Sequence, residues 1–263
     1  MNNWMASSVV VVFLVLVSTA LFFFTVTRGA LILRGLGAGE RGASDHVYPI
    51  YSDMRLIKMV DFQPIISAIL LFQYDRLVSR IVAELQQMDL GGRDVLITSC
   101  AFGNVIPRVV GAAVSGQVRR VQLVDLIRNE LVHARGKLGD LAGKVDFRQA
   151  DATAMQQSDG SVAANVMFFL LHELPHDLKG EALKEAARSL QPGGKLLLAE
   201  FHRPDSWVLR AFSWTYFKVF EPLGLALWDS HDPLRYLQEL GGFSCSRTTY
   251  FFGNFQVIVA TRL

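Results

Sequence analysis

Hydrophobic and polar positions change period repeatedly along this chain, and the changes mark out elements. Asp94–Ser99 (DVLITS) is a short run of β-branched and aliphatic residues, as in a parallel strand buried on both faces. Cys100–Asn104 interrupts it, with Gly103 in the loop. A short apolar helix is predicted around Pro107–Val114, Pro107 being tolerated in a first turn, and Gly116 ends it. Val121–Val124 is a second strand closed by Asp125, and Lys144–Gln149 a third. Val162–Leu171 reads as a fourth strand, extended by His172 and Glu173 and stopped by Pro175. Charged Arg128–Leu138 and amphipathic Asp177–Leu190 read as helices; Gln191–Gly194 (QPGG) reads as a sharp turn before a fifth strand, Lys195–Phe201. Phe243–Tyr250 and Phe255–Thr261, joined across Gly253–Asn254, read as a hairpin. Strands alternating with helices and closing on a hairpin predict an α/β fold, a doubly wound sheet with an antiparallel C-terminal hairpin.

The N-terminal third has a different texture. Met1–Thr27 carries no charged side chain, and Met5–Thr27 as a helix would be about 35 Å long, against about 30 Å for a bilayer core. No Lys or Arg precedes the apolar run, and it is longer than a signal-peptide core, so an uncleaved anchor is favoured over a cleaved leader. Arg28, Arg34 and Arg41 follow the span. They predict a single-pass protein of the inner (cytoplasmic) membrane with its main domain on the cytoplasmic side. Residues 1–34 then form a transmembrane helix, Gly35–Ser44 (GLGAGERGAS) lies in a linker over 35–47, and 48–263 is the main domain. Tyr48–Leu85 reads as helical and is divided by Pro64. Its Ile65–Phe72 stretch is apolar all round, hence core or membrane-facing.

Composition narrows the options modestly. Hydrophobic residues make up 51% and charged residues 19% of 263 residues. A net charge of +2 gives no electrostatic case for nucleic acid. Cys100 and Cys245 fall in or beside predicted strands, read as buried free thiols of a reducing compartment.

Asp125 ends the second strand roughly 20 residues after a Gly-bearing first turn, where a βαβ nucleotide fold places its ribose-binding carboxylate. The alternative role is to cap the following helix. Four landmarks occur in order: the turn Ser99–Gly103, Asp125, Asp151–Ala152, and Leu190–Leu198 (LQPGGKLLL). On these the chain from Tyr74 to Leu263 resembles the class I S-adenosylmethionine-dependent methyltransferases, which are Rossmann-like. That resemblance implies S-adenosylmethionine as cofactor, Ser99 and Gly103 in its first turn, Asp125 on its ribose, and Asp151 and Ala152 at its adenine. The turn itself departs from the usual hxDhGxGxG. Ile97 stands for the acid, and Ser99 and Ala101 for two glycines.

Within that superfamily, SCAFGNVIPRVV (Ser99–Val110), FFLLHELP (Phe168–Pro175), EFHRP (Glu200–Pro204), EPLGLALW (Glu221–Trp228) and TTYFFGNFQ (Thr248–Gln256) are similar to the RquA-like rhodoquinone-biosynthesis family. That resemblance implies conversion of ubiquinone to rhodoquinone: amino transfer from S-adenosylmethionine, with Mn²⁺ assisting.

His172–His176 (HELPH) literally matches H-E-x-x-H, but Pro175 disfavours the helix a zinc peptidase needs. His172 and Glu173 instead sit at a strand's carboxyl end, where open α/β sheets bind ligands. Glu173 with His172 or His202 is expected to hold a metal or the quinone head group, the alternative being solvated loop residues. His202 is a candidate proton donor to a quinone carbonyl, which makes Glu173 and His202 the candidate catalytic pair. Trp207–Trp228 is crowded with aromatics flanked by Arg210 and Lys218: either a buried cover over the sheet or an interfacial lid that admits a polyprenyl quinone from membrane lipid. The competing reading is a catalytically inactive, methyltransferase-like subunit of a larger membrane complex, favoured by Ile97, Ser99 and Ala101.

Overall fold

The computed structural model describes Val17, Tyr51 and residues 54–263. The anchor and linker expectations, Val17 aside, lie outside the described residues. Among the described residues no helix is long and apolar enough to cross a membrane. Helices α1 (Met54–Val60), α2 (Gln63–Ile69) and α3 (Tyr74–Gln86) lead into β1 (Asp94–Thr98), α4 (Val105–Ser115), β2 (Arg120–Asp125), α5 (Arg128–Leu138), β3 (Val145–Gln149), β4 (Val162–Phe168), α6 (His176–Ser189) and β5 (Leu190–Phe201). Then come α7 (Trp207–Phe220), a 3₁₀ turn Pro222–Trp228, α8 (Pro233–Leu240), β6 (Phe243–Tyr250) and β7 (Phe255–Arg262).

The seven strands lie in the order β3-β2-β1-β4-β5-β7-β6. The first five are mutually parallel, and β7 runs antiparallel to both β5 and β6. The predicted Rossmann-like sheet is therefore present, with the hairpin folded back so that β7 enters next to β5. Alternation decides the two cores. Val95, Ile97, Leu123, Val166 and Leu197 point to the face covered by α3 and α4. Leu96, Val124, Met167 and Leu198 point to the face covered by α6, through Ala182, Leu183 and Ala186. Each fully buried aliphatic contributes about 1.5–3 kcal/mol before entropy is counted.

Three boundaries differ from the sequence reading. Strand β4 stops at Phe168 because Phe169 adopts φ +54, and Glu173 and Leu174 donate backbone N–H bonds to the carbonyls of Leu170 and Leu171. His172 and Glu173 thus lie in a turn, not on a strand. The Gln191–Gly194 segment is not a turn before β5 but a bulge within it. Leu190 pairs with Val162 and Lys195 with Ala164, with Gly193 at φ +75 in between. Helix α4 begins two residues before Pro107.

Both apolar stretches are part buried and part exposed. From Ile65–Phe72, Ile66 and Leu70 enter the core while Phe72 is 77% exposed. In α7, Phe217 is buried edge-on against Phe201 at 4.9 Å, whereas Trp207, Phe212 and Trp214 are exposed. Cys100 is buried, Cys245 half-buried, and both are free thiols.

Candidate active site

The carboxyl ends of β1, β2 and β4 surround two adjoining cavities. The first, about 710 Å³, is walled by Ser99, Asp125, Leu126, Asp151, Ala152 and Glu130. The second, about 910 Å³, is mostly apolar, with Ile66, Ile69, Phe168 and Phe201 carrying its walls and His172, Tyr216 and Glu221 its polar groups. Tyr51, Ser99, Cys100 and Glu173 line both, so the cavities meet there.

The first βα turn keeps the backbone shape that glycines usually supply. Ser99 stands at φ +81 and donates its N–H to the Val124 carbonyl at 2.8 Å. Left-handed backbone at a residue with a Cβ costs on the order of 1 kcal/mol or more. The next amide repays part of it: Cys100 N–H reaches Asp125 Oδ2 at 2.6 Å, and Ile127 N–H reaches Oδ1 at 2.7 Å. Asp125 therefore braces the loop between β2 and α5 and also lines the cleft. Burial raises its pKa, and the hydrogen bonds from Cys100, Ile127 and Ser99 offset this only in part.

Asp151 Oδ1 accepts from the Thr153 N–H and hydroxyl, both at 2.8 Å, which fixes the loop after β3 beside Ala152. Gly103, expected to contact the cofactor, lines neither cavity. It is required because φ is +79 and a Cβ there would collide with the Tyr74 ring. Tyr74 Oη in turn accepts from Val105 N–H at 2.7 Å and donates to the Phe102 carbonyl at 3.2 Å. The turn is braced from outside the motif. Asp61, just after α1, accepts from Gly103 N–H, from Lys137 at 3.0 Å and from His133 at 2.6 Å. Lys137 also donates to the carbonyl of Gly103 at 2.9 Å.

The turn after β4 carries the chemistry of the second cavity. His172 Nδ1 lies 3.1 Å from Glu200 Oε1. Burial pulls the imidazole pKa down, but the Glu200 carboxylate outweighs it and holds the group charged, up to about 9. Glu173 Oε1 accepts from the Tyr51 hydroxyl at 2.6 Å. Burial raises Glu173 to about 7, against the opposing pull of His172 and Tyr51. Lys179, 1% exposed, donates to the Leu171 carbonyl and, at 2.7 Å, to that of Leu174, so a buried ammonium ties this turn down.

Two expectations are corrected. His202 lies outside both cavities: Nδ1 pairs with the Gly253 carbonyl at 2.7 Å and Nε2 faces Arg247 at 3.2 Å, tying β5 to the hairpin. The expected His172–Glu173 metal site is not assembled either. Each side chain is held by a different partner, and the described residues contain no group of three or more His, Cys, Asp or Glu able to hold an ion. Sequence reasoning passed over Glu130, Glu200, Tyr51 and Tyr216. Glu200 opened a motif already singled out, and Glu130 looked like part of a solvated charged helix.

Similarities to known proteins agree with this layout. The ubiquinone/menaquinone biosynthesis C-methyltransferase UbiE of Ectopseudomonas mendocina (strain ymp) is 34% identical over 167 residues, covering 62% of this chain and 63% of that protein. The UbiE of Pseudomonas putida is 30% identical over the same shares. The chain thus spans about 63% of the length of these curated relatives. Among solved structures, an O-methyltransferase family protein from Burkholderia thailandensis superposes with a TM-score of 0.58 at 17% identity, covering 81% of this chain and 61% of that one. The magnesium protoporphyrin IX methyltransferase ChlM from Synechocystis PCC 6803, solved with bound SAH, gives a TM-score of 0.51 at 16% identity over 93% and 99%. These likenesses establish the fold. The sequence pattern of the ubiE/COQ5 methyltransferase family matches residues 58–243, most of the chain, and the protein belongs to that family.

Proposed function

We propose that the protein is a transferase that takes S-adenosylmethionine in the polar cleft and modifies the ring of a quinone in the apolar cavity. The observation that carries this is the shared wall, Tyr51, Ser99, Cys100 and Glu173, through which the two cavities meet. The cleft fits the cofactor: Asp125 offers acceptor lone pairs at the ribose position, and Asp151 and Ala152 edge the place of the base. When bound, the cofactor supplies an electrophilic carbon at its sulfonium. The chain supplies the rest. His172, held charged by Glu200, donates to a quinone oxygen. Glu173, near neutrality in its titration, takes or returns a ring proton. Phe168, Phe169 and Phe201 keep water from the ring.

A second, finer reading is the RquA-like one, replacement of a ring methoxy group by an amino group. Ile97, Ser99 and Ala101 favour it, since they depart from the ordinary methyl-transfer turn. His172 and Glu173 do not fit a manganese site, and no step here runs through a metal. The uncharged N-terminal run and the exposed Trp207, Phe212 and Trp214 support an enzyme anchored at the inner membrane that draws its quinone from lipid, with the main domain on the cytoplasmic side.

The test is turnover by the full chain in lipid vesicles, with S-adenosylmethionine and either ubiquinone or a quinone lacking its ring methyl. Mass spectrometry then distinguishes a methylene gained from a methoxy exchanged for an amino group. Binding of cofactor without either product would instead favour a non-catalytic subunit of a membrane complex.

A further inference from the structure

Glu130 is the third residue of α5, 3% exposed, yet it forms part of the wall of the nucleoside cleft. Its Oε1 has no hydrogen-bond partner. A buried, unpaired carboxylate is costly, so such a group stays protonated until something supplies positive charge. The charged and titratable groups facing it do not supply enough. Asp125 from β2, Asp61 from the segment after α1, and Glu173 from the turn after β4 all bear on it as acids. Lys137, nearly two turns along its own helix, is the opposing cation, but its ammonium is committed to Asp61 and to the carbonyls of Ala101 and Gly103. His133 is likewise spent on Asp61. Cys100 and Tyr51 complete the wall and bring no positive charge. Burial, then Asp125, lift the Glu130 carboxyl to about 9.

We infer that Glu130 makes this cleft select a cationic ligand, favouring the sulfonium of S-adenosylmethionine over the neutral thioether left after transfer, by releasing its proton as the cation arrives. This rests on the cofactor assignment proposed above. The balance is simple. Neutral Glu130 and the cation enter; the Glu130 carboxylate beside the sulfonium forms, and one proton leaves to solvent. Once the sulfonium has lost its group, the charge beside Glu130 is gone and only the amino-acid ammonium, common to both ligands, remains. Glu130 takes a proton back, and the spent thioether is held less tightly. The site thus grips its fresh cofactor and loosens on its product.

Calorimetric titration of the full chain with S-adenosylmethionine and, separately, S-adenosylhomocysteine, between about pH 6 and 9, tests this. The amino-acid ammonium is common to both ligands, so the ratio of their affinities isolates the sulfonium. That ratio rises with pH by up to about tenfold per unit, because one proton is released with one ligand and not with the other. Heats measured in two buffers of different ionisation enthalpy count the same proton. In Glu130→Gln the ratio is flat with pH and the proton count falls toward zero. A flat ratio in the wild type overturns the inference, whether or not the variant folds; so does a slope that survives in Glu130→Gln. Failure of both ligands to bind the wild type overturns the cofactor assignment itself, and the inference with it.

Discussion

Nδ1 of His172 stands 3.1 Å from Oε1 of Glu200, a carboxylate with no solvent exposure. Glu200 also accepts the backbone N–H of Phe201 at 2.8 Å, which holds its carboxyl in place. The pair therefore behaves as a buried ion pair, and removing one partner strands the other. His172→Leu is expected to cost about 3–5 kcal/mol in urea unfolding. A loss below about 1 kcal/mol would mean the pair is not ionised.

The same buried groups set a pH dependence. His172 is raised to about 9 from an ordinary 6.5, and Glu130 to about 9 and Glu173 to about 7 from 4.5. A group whose folded pKa is raised contributes stability below its unfolded value and loses it as pH climbs to the folded one. The ligand-free protein should thus lose stability steadily from about pH 5 to 9, each group adding at most about 1.4 kcal/mol per unit. Melting temperature against pH checks this, and Glu130→Gln should flatten the curve. A maximum near pH 9 would contradict it.

Lys179 links the turn bearing His172 and Glu173 to α6 through two carbonyls. Lys179→Met keeps the stem but leaves the Leu174 carbonyl without its partner and the Leu171 carbonyl with only the Leu174 N–H, at about 1–3 kcal/mol. Because the turn loosens where substrate is held, KM for the quinone should rise more than kcat falls. Steady-state kinetics on the variant separate the two.

His202→Gln offers a contrast. The ring bonds to the hairpin and touches neither cavity. The variant should lose about 1 kcal/mol of stability and keep its turnover. A turnover loss of about a hundredfold would return His202 to the chemistry.

The central sheet was legible because β1, β2, β4 and the second half of β5 are buried aliphatic runs, a pattern that survives without any tertiary information. The position of Asp125 was legible for the same reason: it is counted along the chain from Gly103. What escaped was set by contacts distant in sequence. Asp61 braces the first turn through the Gly103 N–H from 42 residues away, and Tyr51 meets Glu173 across 122 residues. His202 and Glu200 are neighbours on one strand end. Residue type alone favoured the histidine, whereas Glu200 is buried within β5 and His202 lies past the strand's end, where its ring meets the hairpin carbonyl of Gly253. The left-handed backbone of Phe169 ended β4 early, and no aromatic in an apolar run announces such a break.

The central claim is that a nucleoside-shaped cleft, with Asp125 at its ribose position, opens onto the quinone cavity. Equilibrium binding of S-adenosylmethionine to the wild type and to Asp125→Ala tests it most directly. The account predicts one site per chain in the wild type and a loss of at least about tenfold in the variant, from the lost ribose hydrogen bonds. Equal affinity in the two proteins, or no binding to either, would contradict it.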